Sequence, residues 1–328
     1  MDEIRLGTIG SGLIVRTMLD NVARTDGIRL VAVYSRREDT GRALASEYGA
    51  KKVYTDIESF LADERMNFVY IASPNLLHYE QAKKALLAGK NVICEKPFCT
   101  KTDQARELVT LAKEKHLFLV DAVPTTFLPN FEILKRELPK IGKVKLVQGN
   151  YSQYSSRYEK LLAGEAPNIF NPAYAGGCLM DINFYNVYLS TALFGKPVEA
   201  IYYPNMYNGS IDTSGIMVMR YDGFVGEFTG AKDTWGENFF LIEGEQGYIH
   251  IPNGSNGLAE IKVVTKSSIE VFNEQPDPAR WYYEVQNLTR LVLAGDYDGI
   301  DARLDLMLAV VETIETSRKQ AGILFPKD

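Results

Sequence analysis

The chain is poor in the residues that build disulfide frameworks and metal centres. Its 328 residues include three cysteines and three histidines. The cysteines, Cys94, Cys99 and Cys178, are too few and too scattered for a disulfide framework, and their spacing matches no zinc pattern. We therefore expect reduced thiols, which suit the cytosol, and no metal site.

Basic clusters and long apolar runs are also missing. The formal net charge is −6, and no stretch concentrates lysine and arginine. Phosphate binding along a nucleic acid needs a clustered cationic face, so we expect no nucleic-acid partner. No segment approaches the roughly 20 apolar residues of a membrane-spanning helix, and the first residues lack the basic and apolar regions of a signal peptide. The sequence predicts a soluble, cytoplasmic protein with no membrane partner.

The first part of the chain has the pattern of an α/β domain. A length of 328 residues exceeds one ordinary core, so two domains are expected. In residues 1–122, helical periodicity separates short apolar runs, which lie at residues 4–9, 28–34, 68–72, 92–94 and 117–120. Strands that alternate with helices indicate βαβ units and a parallel sheet with right-handed crossovers.

The pattern changes in residues 123–328. Residues 198–272 alternate strongly, are rich in Val, Ile, Tyr and Phe, and are divided by Gly and Asn turns. This pattern predicts an antiparallel sheet of several strands. Helical patterns over residues 279–294 and 302–320 close the chain. We expect a second domain over residues 123–328, and we leave open whether its last helix packs back on the first domain.

A glycine turn follows the first predicted strand. It reads GSGLIV over residues 10–15. In the pattern G-x-G-x-x-G/A the first glycine permits a tight turn, and the second lets the backbone approach a pyrophosphate at a helix amino terminus. Val15 stands where the third small residue is usual. A structural turn is the alternative, but the position in a βαβ series favours a dinucleotide site. The predicted contacts are Gly10, Ser11, Gly12, Leu13 and Ile14.

The end of the second predicted strand bears on which dinucleotide binds. An NAD site usually has an acidic residue about 20 positions on, which holds the ribose 2′-hydroxyl. Here the segment reads Ser35-Arg36-Arg37, and the first acids follow it. Arginine can hold a 2′-phosphate through charge-assisted hydrogen bonds. We predict NADP as the preferred cofactor, with NAD possible. The alternative is that both arginines are solvated residues at the start of a helix.

A lysine follows a later strand in the segment Glu95-Lys96-Pro97. The preceding run, residues 91–94, reads as a buried strand. Lys96 would therefore lie at the carboxyl edge of a parallel sheet that opens with a dinucleotide turn. Hydride transfer to or from an alcohol needs a proton donor and acceptor at such a place. The alternative is an ordinary surface lysine.

Two more segments complete a set of four, ASPNLLH over residues 72–78 and GGCLMDINFY over residues 176–185. In order and spacing the four resemble the Gfo/Idh/MocA family, which includes glucose–fructose oxidoreductase, inositol dehydrogenase and their relatives. The resemblance covers essentially the whole chain. It implies a Rossmann domain, and a C-terminal α/β domain whose large, open, mostly antiparallel sheet often forms an oligomer interface. It also implies a nicotinamide-dependent oxidoreductase for a sugar, polyol or dihydrodiol, and a homo-oligomer, either dimer or tetramer.

The resemblance assigns roles to three residues. Lys96 lies near nicotinamide and substrate, and the aspartate of the later motif falls on Asp181. Many members have a histidine four residues further on, whereas this chain has Tyr185. That variant resembles the glucose–fructose oxidoreductase and dimeric dihydrodiol dehydrogenase branch, where tyrosine is the proposed acid/base, and it disfavours an inositol dehydrogenase. Residues four apart share a helical face, and a tyrosine needs a nearby cation to act as a base at neutral pH. We predict Lys96, Tyr185 and Asp181 as the catalytic group.

Other interpretations of these residues stay open. Tyr185 could be a core aromatic, and Asp181 a helix amino-terminal acid. The family places Ser73 and Asn75 beside the nicotinamide half of the cofactor, and we add His78 and Glu95 to the predicted cofactor contacts, with local structure as the alternative for His78.

Two other functions remain possible. One is an NAD-assisted glycoside-cleaving enzyme that retains its cofactor through turnover. The other is a non-catalytic dinucleotide-binding sensor, which would not need the proton-transferring group. We expect residues 151–158 and Asn168 to line the substrate pocket. The sequence does not rank aldoses, ketoses, cyclic polyols, dihydrodiols and α-dicarbonyls as substrates.

Overall fold

The computed structural model describes residues 2–326 and 328, which form two compact units. The first unit contains residues 2–124 together with Ala279–Leu308, and the second contains Thr125–Pro278 together with the described residues from 309 onward. The predicted boundary at residue 122 therefore differs by two positions. Residues 279–308, which we placed in the second domain, belong to the first unit.

The regular elements are as follows. The strands are β1 (Ile4–Ile9), β2 (Ile28–Tyr34), β3 (Lys52–Tyr54), β4 (Phe68–Ile71), β5 (Asn91–Glu95), β6 (Leu119–Ala122), β7 (Val144–Ser152), β8 (Glu199–Tyr207), β9 (Ile211–Tyr221), β10 (Phe224–Ala231), β11 (Phe239–Gly244), β12 (Gly247–Pro252), β13 (Ile261–Thr265) and β14 (Ile269–Phe272). The α-helices are α1 (Leu13–Val22), α2 (Glu38–Tyr48), α3 (Ile57–Leu61), α4 (His78–Leu87), α5 (Thr102–Glu114), α6 (Pro129–Glu137), α7 (Tyr158–Leu162), α8 (Phe184–Phe194), α9 (Arg280–Ala294) and α10 (Tyr297–Gln320).

The first unit contains a parallel sheet with the strand order β3-β2-β1-β4-β5-β6. The predicted doubly wound sheet is confirmed. Strands β4 and β5 are buried along their whole length, as expected where helices cover both faces of a sheet. The strand order reverses between β1 and β4. In such sheets ligands bind outside the carboxyl ends of the strands at the point of reversal. The glycine turn follows β1 at that point, and the lysine segment follows β5, the strand next to β4.

Residues 279–308 join the first unit through specific side-chain contacts. The guanidinium of Arg24 lies 4.5 Å from the ring centroid of Tyr282 in α9. At the start of α10, the Tyr297 ring stacks on Phe118 with centroids 4.2 Å apart. An aromatic pair of this kind contributes about 0.5–1.5 kcal/mol beyond its area burial. These contacts join residues more than 170 positions apart, so no local pattern could have indicated them.

The second unit contains a mostly antiparallel sheet, as predicted. Its order is β14-β13-β12-β11-β7-β10-β9-β8, and β7 and β10 pair in parallel. Inward-facing residues of the central strands, such as Phe228, Phe240 and Ile242, are fully buried. Helix α8 is buried from Phe184 to Thr191, which explains why most of its side chains are apolar or aromatic on every side of the helix.

The thiols and the helices bear on two of the expectations from the sequence. Cys94, Cys99 and Cys178 are all buried free thiols. In the part of the chain that the structure describes, each helix is too short or too polar to cross a bilayer.

Candidate active site

The glycine turn has the shape that a pyrophosphate requires. Gly10 has φ of 118°, and a Cβ there would lie 2.7 Å from the carbonyl oxygen of Ala72, so the position excludes other residues. A Cβ on Gly12 would meet no protein atom within 4 Å, and Leu13 is 80% exposed. The amino terminus of α1 therefore has open space beside it, and its N–H groups can approach an anion.

The neighbouring residues complete this turn. Ser11 and Ile14 are half-buried, while Val15 is fully buried. The amide of Gly10 donates a hydrogen bond of 3.3 Å to the carbonyl of Tyr34 at the end of β2. The turn and the second strand's end are thus joined, as a dinucleotide site requires.

The predicted 2′-phosphate residues follow that strand end. Ser35 is buried, and its hydroxyl lies 2.7 Å from that of Thr40. Arg36 and Arg37 are exposed. The Arg37 guanidinium donates to Asp39, with a distance of 3.1 Å from Nε to Oδ1. Both side chains of this pair are exposed and water screens their attraction, so the pair presents little competition to a phosphate.

The segment after β4 is tied to the segment after β5 by a histidine. His78 is 1% exposed, and its ring nitrogens lie 3.0 Å from the Pro97 carbonyl and 2.8 Å from the Ser73 carbonyl. Burial lowers the pKa of His78, although both carbonyls favour the protonated ring. The Ser73 hydroxyl donates to Gln81. These contacts match the local structural role that we left open for His78. Asn75 opens a short 3-10 turn and is half-buried.

Glu95 points into the core of the first unit. It is 7% exposed, and its Oε1 accepts a hydrogen bond of 2.6 Å from the Tyr70 hydroxyl. Its Oε2 accepts one of 3.2 Å from the Lys96 amide. Burial raises the pKa of Glu95, against the effect of the Tyr70 bond. The carboxyl that we predicted as a cofactor contact therefore anchors the backbone of Lys96, which is half-buried just beyond β5.

Both glycines of the later motif are explained by close packing. A Cβ on Gly176 would lie 2.5 Å from the Ile169 carbonyl oxygen, and one on Gly177, with φ of 111°, would lie 2.0 Å from Oδ1 of Asp212. Asp212 is fully buried and accepts a hydrogen bond of 2.7 Å from the Leu179 amide. This carboxylate holds the start of the helical segment that carries Asp181 and Tyr185.

That segment begins with a turn of π-helix over Leu179–Asn183, followed directly by α8. Such turns are rare and are frequent at functional sites. A π turn holds more residues than an α turn, so Asp181 and Tyr185 remain about one turn apart. Tyr185 is 7% exposed, and its ring packs against Tyr151 with centroids 6.0 Å apart.

Buried amides attach this segment to the sheet. Asn183 donates 3.0 Å to the carbonyl of Phe228, and Asn186 donates 3.0 Å to that of Thr229, both in β10. Ser255 in turn donates 2.6 Å to Oδ1 of Asn186. Buried polar groups with satisfied partners hold a defined geometry, so the backbone around Tyr185 is rigidly placed within the second unit.

A lysine that no sequence motif singles out pairs with Asp181. Lys232, directly after β10, forms an ion pair with Asp181. The Lys232 side chain is 5% exposed and that of Asp181 is 27% exposed. The Lys232 ammonium also lies 5.8 Å from the ring centroid of Phe170. The sequence signal was a lysine at the end of an apolar strand, 51 positions from its partner, which is too weak to identify the pair.

The unequal burial of this pair predicts unequal effects of mutation. Asp181→Ala leaves the ammonium of Lys232 buried without its partner, and we expect a loss of about 3 kcal/mol in the free energy of unfolding. Lys232→Met leaves a carboxylate that water can reach, so the loss should be smaller. Urea unfolding of both variants and of the double variant tests this, and the double variant should recover part of the loss. Equal stability of Asp181→Ala and wild type would contradict the prediction.

A row of aromatic rings leads from this ion pair to the surface. Phe170 packs against Tyr158 at 5.9 Å, and Tyr158 against Tyr154 at 5.8 Å between centroids. Trp235 stacks on Tyr154 at 5.8 Å with an interplanar angle of 7°, and it is 79% exposed. We call Trp235, Tyr154, Tyr158 and Phe170 the aromatic row. It includes two residues of the segment that we expected to line the substrate pocket.

Within residues 2–326 and at residue 328, His, Cys, Asp and Glu form no group of three or more that could hold a metal ion.

Relatives of this chain are known oxidoreductases. It is 33% identical to a scyllo-inositol 2-dehydrogenase (NADP(+)) of Bacillus subtilis (strain 168), over 99% of each chain. It is 25% identical to the human trans-1,2-dihydrobenzene-1,2-diol dehydrogenase, again over 99% of each chain. The match runs through both units in each comparison.

Solved structures share the fold. A 3-ketoreductase from Actinomadura kijaniata, KijD10, crystallised with NADP and TDP-benzene, superposes with a TM-score of 0.84. The two are 21% identical over 96% of this chain and 98% of the other. The model of the oxidoreductase family with an NAD-binding Rossmann fold matches residues 4–121, and the model of the GFO/IDH/MocA C-terminal domain matches residues 138–250. The chain therefore belongs to the Gfo/Idh/MocA family of NAD(P)-binding oxidoreductases.

Proposed function

We propose that this protein is an NADP(H)-preferring dehydrogenase or reductase that acts on a secondary alcohol or carbonyl of a sugar, polyol or dihydrodiol. The observation that carries the proposal is the placement of Lys96. It follows β5 at the carboxyl edge of the parallel sheet, and its amide is held by buried Glu95. A lysine fixed there, in a sheet with an open glycine turn, suits proton transfer beside a nicotinamide.

The residues of the first unit fit the cofactor. The open space beside Gly12 and the amino terminus of α1 suit a pyrophosphate, and the exposed Arg36 and Arg37 suit a 2′-phosphate. When bound, the nicotinamide accepts or returns the hydride of the alcohol carbon. The protein supplies position and the route for the proton. The Bacillus subtilis relative is an NADP(+) enzyme and KijD10 was crystallised with NADP, which supports this preference.

The remaining proton is assigned to the predicted catalytic group. As the alcohol is oxidised, its hydroxyl proton passes to Tyr185, and the ammonium of Lys96 favours the deprotonated phenol. In the reverse direction Tyr185 returns the proton to the carbonyl oxygen. Asp181, held by Lys232, offers carboxylate oxygens to substrate hydroxyls and stays in one orientation because of that ion pair. The variant Lys96→Arg distinguishes Tyr185 from Lys96 as the direct proton donor.

The substrate side of the second unit suits a neutral ring. Lys232 neutralises the charge of Asp181, so the pair does not select for an anionic substrate. The aromatic row offers apolar faces to the C–H groups of a ring. Relatives act on a cyclitol and on a dihydrodiol by name. Because a scyllo-inositol 2-dehydrogenase is among them, cyclitols stay in the proposal alongside the expectation drawn from Tyr185.

A panel assay tests the proposed function. The purified protein is incubated with NADP+ or NAD+ and scyllo-inositol, a trans-dihydrodiol, D-xylose or D-glucose, and reduced nicotinamide is followed by absorbance. We expect free NADPH to accumulate with at least one neutral substrate. Reduced cofactor that never leaves the protein, with cleavage of a glycoside, would instead support the glycoside-cleaving alternative. No oxidation or reduction with any member would contradict the proposal.

The cofactor preference predicts a selective loss on mutation. We expect the double variant Arg36→Ala/Arg37→Ala to bind NADPH about 10- to 100-fold more weakly, because hydrogen bonds to a charged group are worth about 1.5–3 kcal/mol. The Kd for NADH should stay unchanged, since NADH has no 2′-phosphate. Fluorescence titration measures both constants, and Arg42→Ala, an exposed arginine on α2 paired with Glu38, is the control. Equal weakening of both cofactors would contradict the assignment.

We also propose that the protein is a homo-oligomer through the outer face of the second sheet. Antiparallel sheets usually turn polar residues to water, yet this face carries large exposed apolar side chains. On neighbouring strands Val225 pairs with Leu146, and Ile216 pairs with Tyr203. The exposed apolar residues are Leu146, Ile201, Tyr203, Ile216, Val225, Tyr248, Ile269 and Val271. Such a patch marks an interaction surface. Sedimentation velocity decides between a monomer, a dimer and a tetramer.

A further inference from the structure

The carboxyl of Glu284 is buried in the first unit, where no described residue forms a hydrogen bond with it. It lies on α9 and is 1% exposed. Neither of its carboxyl oxygens has a partner among the described residues. A buried ionised carboxylate normally has paired charges or hydrogen bonds, because its transfer from water costs several kcal/mol. A buried carboxyl that has neither a paired charge nor a hydrogen bond is more stable in its protonated form.

The groups that face Glu284 favour the same state. Burial raises its pKa well above the ordinary value of 4.5, and the neighbouring carboxyls of Glu95 in β5 and Asp121 in β6 raise it further. Both neighbours are themselves buried. The charges of Arg280 and Arg303 act in the opposite direction and are outweighed. Tyr70, the hydrogen-bond partner of Glu95, also lies within the field of Glu284.

Hydrogen bonds distinguish Glu95 from Glu284. Glu95 accepts from the Tyr70 hydroxyl and from the Lys96 amide, and two donors favour the ionised form. Among the residues that the structure describes, none donates to the carboxyl of Glu284. Closely spaced buried carboxyls cannot all ionise, because each charge raises the cost of the next. The charge therefore belongs on Glu95 and the proton on Glu284.

We propose that Glu284 is a neutral carboxylic acid in the folded protein, and that it is a positioning residue for Lys96. Its proton keeps a second negative charge away from Glu95, so Glu95 stays ionised and continues to anchor the Lys96 backbone. The role of Lys96 rests on the proposed function, whereas the protonation of Glu284 does not. The two parts can therefore fail separately.

Stability against pH tests the proton. An acid that is harder to ionise in the folded state contributes stability that is fully present below its unfolded pKa and is lost as the pH rises toward the folded pKa. Wild type should therefore lose stability relative to Glu284→Gln as the pH rises from about 5 to about 9. Glu114→Gln, at an exposed position on α5, should follow wild type throughout. Curves for Glu284→Gln and wild type that run parallel would overturn the proposal.

An infrared measurement on unmodified protein covers the case in which Glu284→Gln does not fold. At about pH 8 exposed carboxyls are ionised, so a carbonyl band of a protonated carboxylic acid that shifts in D2O reports a buried one. We expect this band in the folded protein and its loss on unfolding in urea. A folded protein without the band would overturn the proposal.

The pH profile of kcat tests the link to Lys96. In wild type, ionisation of Glu284 at high pH places a second charge beside Glu95 and disturbs the anchor. The alkaline limb of kcat should therefore move to higher pH in Glu284→Gln. Coincident alkaline limbs would overturn the positioning role. If wild type shows no turnover with any substrate, the proposed function fails, while the unfolding and infrared results still decide the state of Glu284.

Discussion

Lys96→Ala is expected to lower kcat by about 10²- to 10⁴-fold, the usual effect of losing a positioned acid–base group. The ammonium is the charge that we assign to the deprotonated phenol of Tyr185. The Kd for NADPH should change little, because the glycine turn and the two arginines hold the phosphates through other groups. Steady-state kinetics and fluorescence titration measure the two effects. Lys115→Ala, at an exposed position just after α5, should have no effect on either.

Lys96→Arg separates two roles for this residue. Arginine keeps the positive charge but does not release a proton in the accessible pH range. If Lys96 acts through its charge alone, the arginine variant should recover much of the activity that the alanine variant loses. If Lys96 itself transfers the proton, the arginine variant should be as slow as the alanine variant. Near-normal turnover of Lys96→Ala would remove Lys96 from the mechanism.

Tyr185→Phe is expected to lower kcat by about 10²-fold or more, because it removes the hydroxyl that exchanges the substrate proton. The change keeps the aromatic ring that packs against Tyr151, so the fold should be retained. The KM for substrate should change much less than kcat, since an interaction made mainly in the transition state is lost. Steady-state kinetics across the pH range, with kcat and KM determined separately, would show that kcat falls while KM changes little.

Tyr188→Phe is the matched control for that variant. Tyr188 lies on the same helix and is 1% exposed, and its hydroxyl lies 3.3 Å from that of Thr126. Loss of this buried hydroxyl should reduce stability by about 1 kcal/mol and leave kcat unchanged. A similar fall in kcat for both phenylalanine variants would mean that the helix needs its hydroxyls for structure, and Tyr185 would lose its assigned role.

The first unit was largely predictable because its signals are local. Alternating apolar runs and helical periodicity indicated the parallel sheet. The bounds of β1, β2, β4 and β5 agree within one residue, whereas β6 lies two residues later than expected and the short edge strand β3 was not predicted. The glycine turn was equally readable. The positive φ at position 10 and the nearby carbonyl of Ala72 both require glycine. Because only glycine meets this requirement, the turn can be recognised from the sequence.

The partners of the predicted site residues were not predictable in the same way. The pair of Asp181 with Lys232 joins residues 51 positions apart on different elements. The inward direction of Glu95 depends on Tyr70, and the state of Glu284 depends on carboxyls from two strands. A side chain's neighbours depend on how elements pack, and no periodicity in the chain records this.

The sequence alone determined the fold class, the glycine turn, the lysine after β5 and the family, because short-range patterning and a few steric requirements act within a few residues of chain. The tertiary structure decided which unit residues 279–308 join, which cation holds Asp181, and which buried carboxyls lie beside Glu284. Those outcomes depend on desolvation and on charges brought together across long separations, and both arise only when the chain is packed.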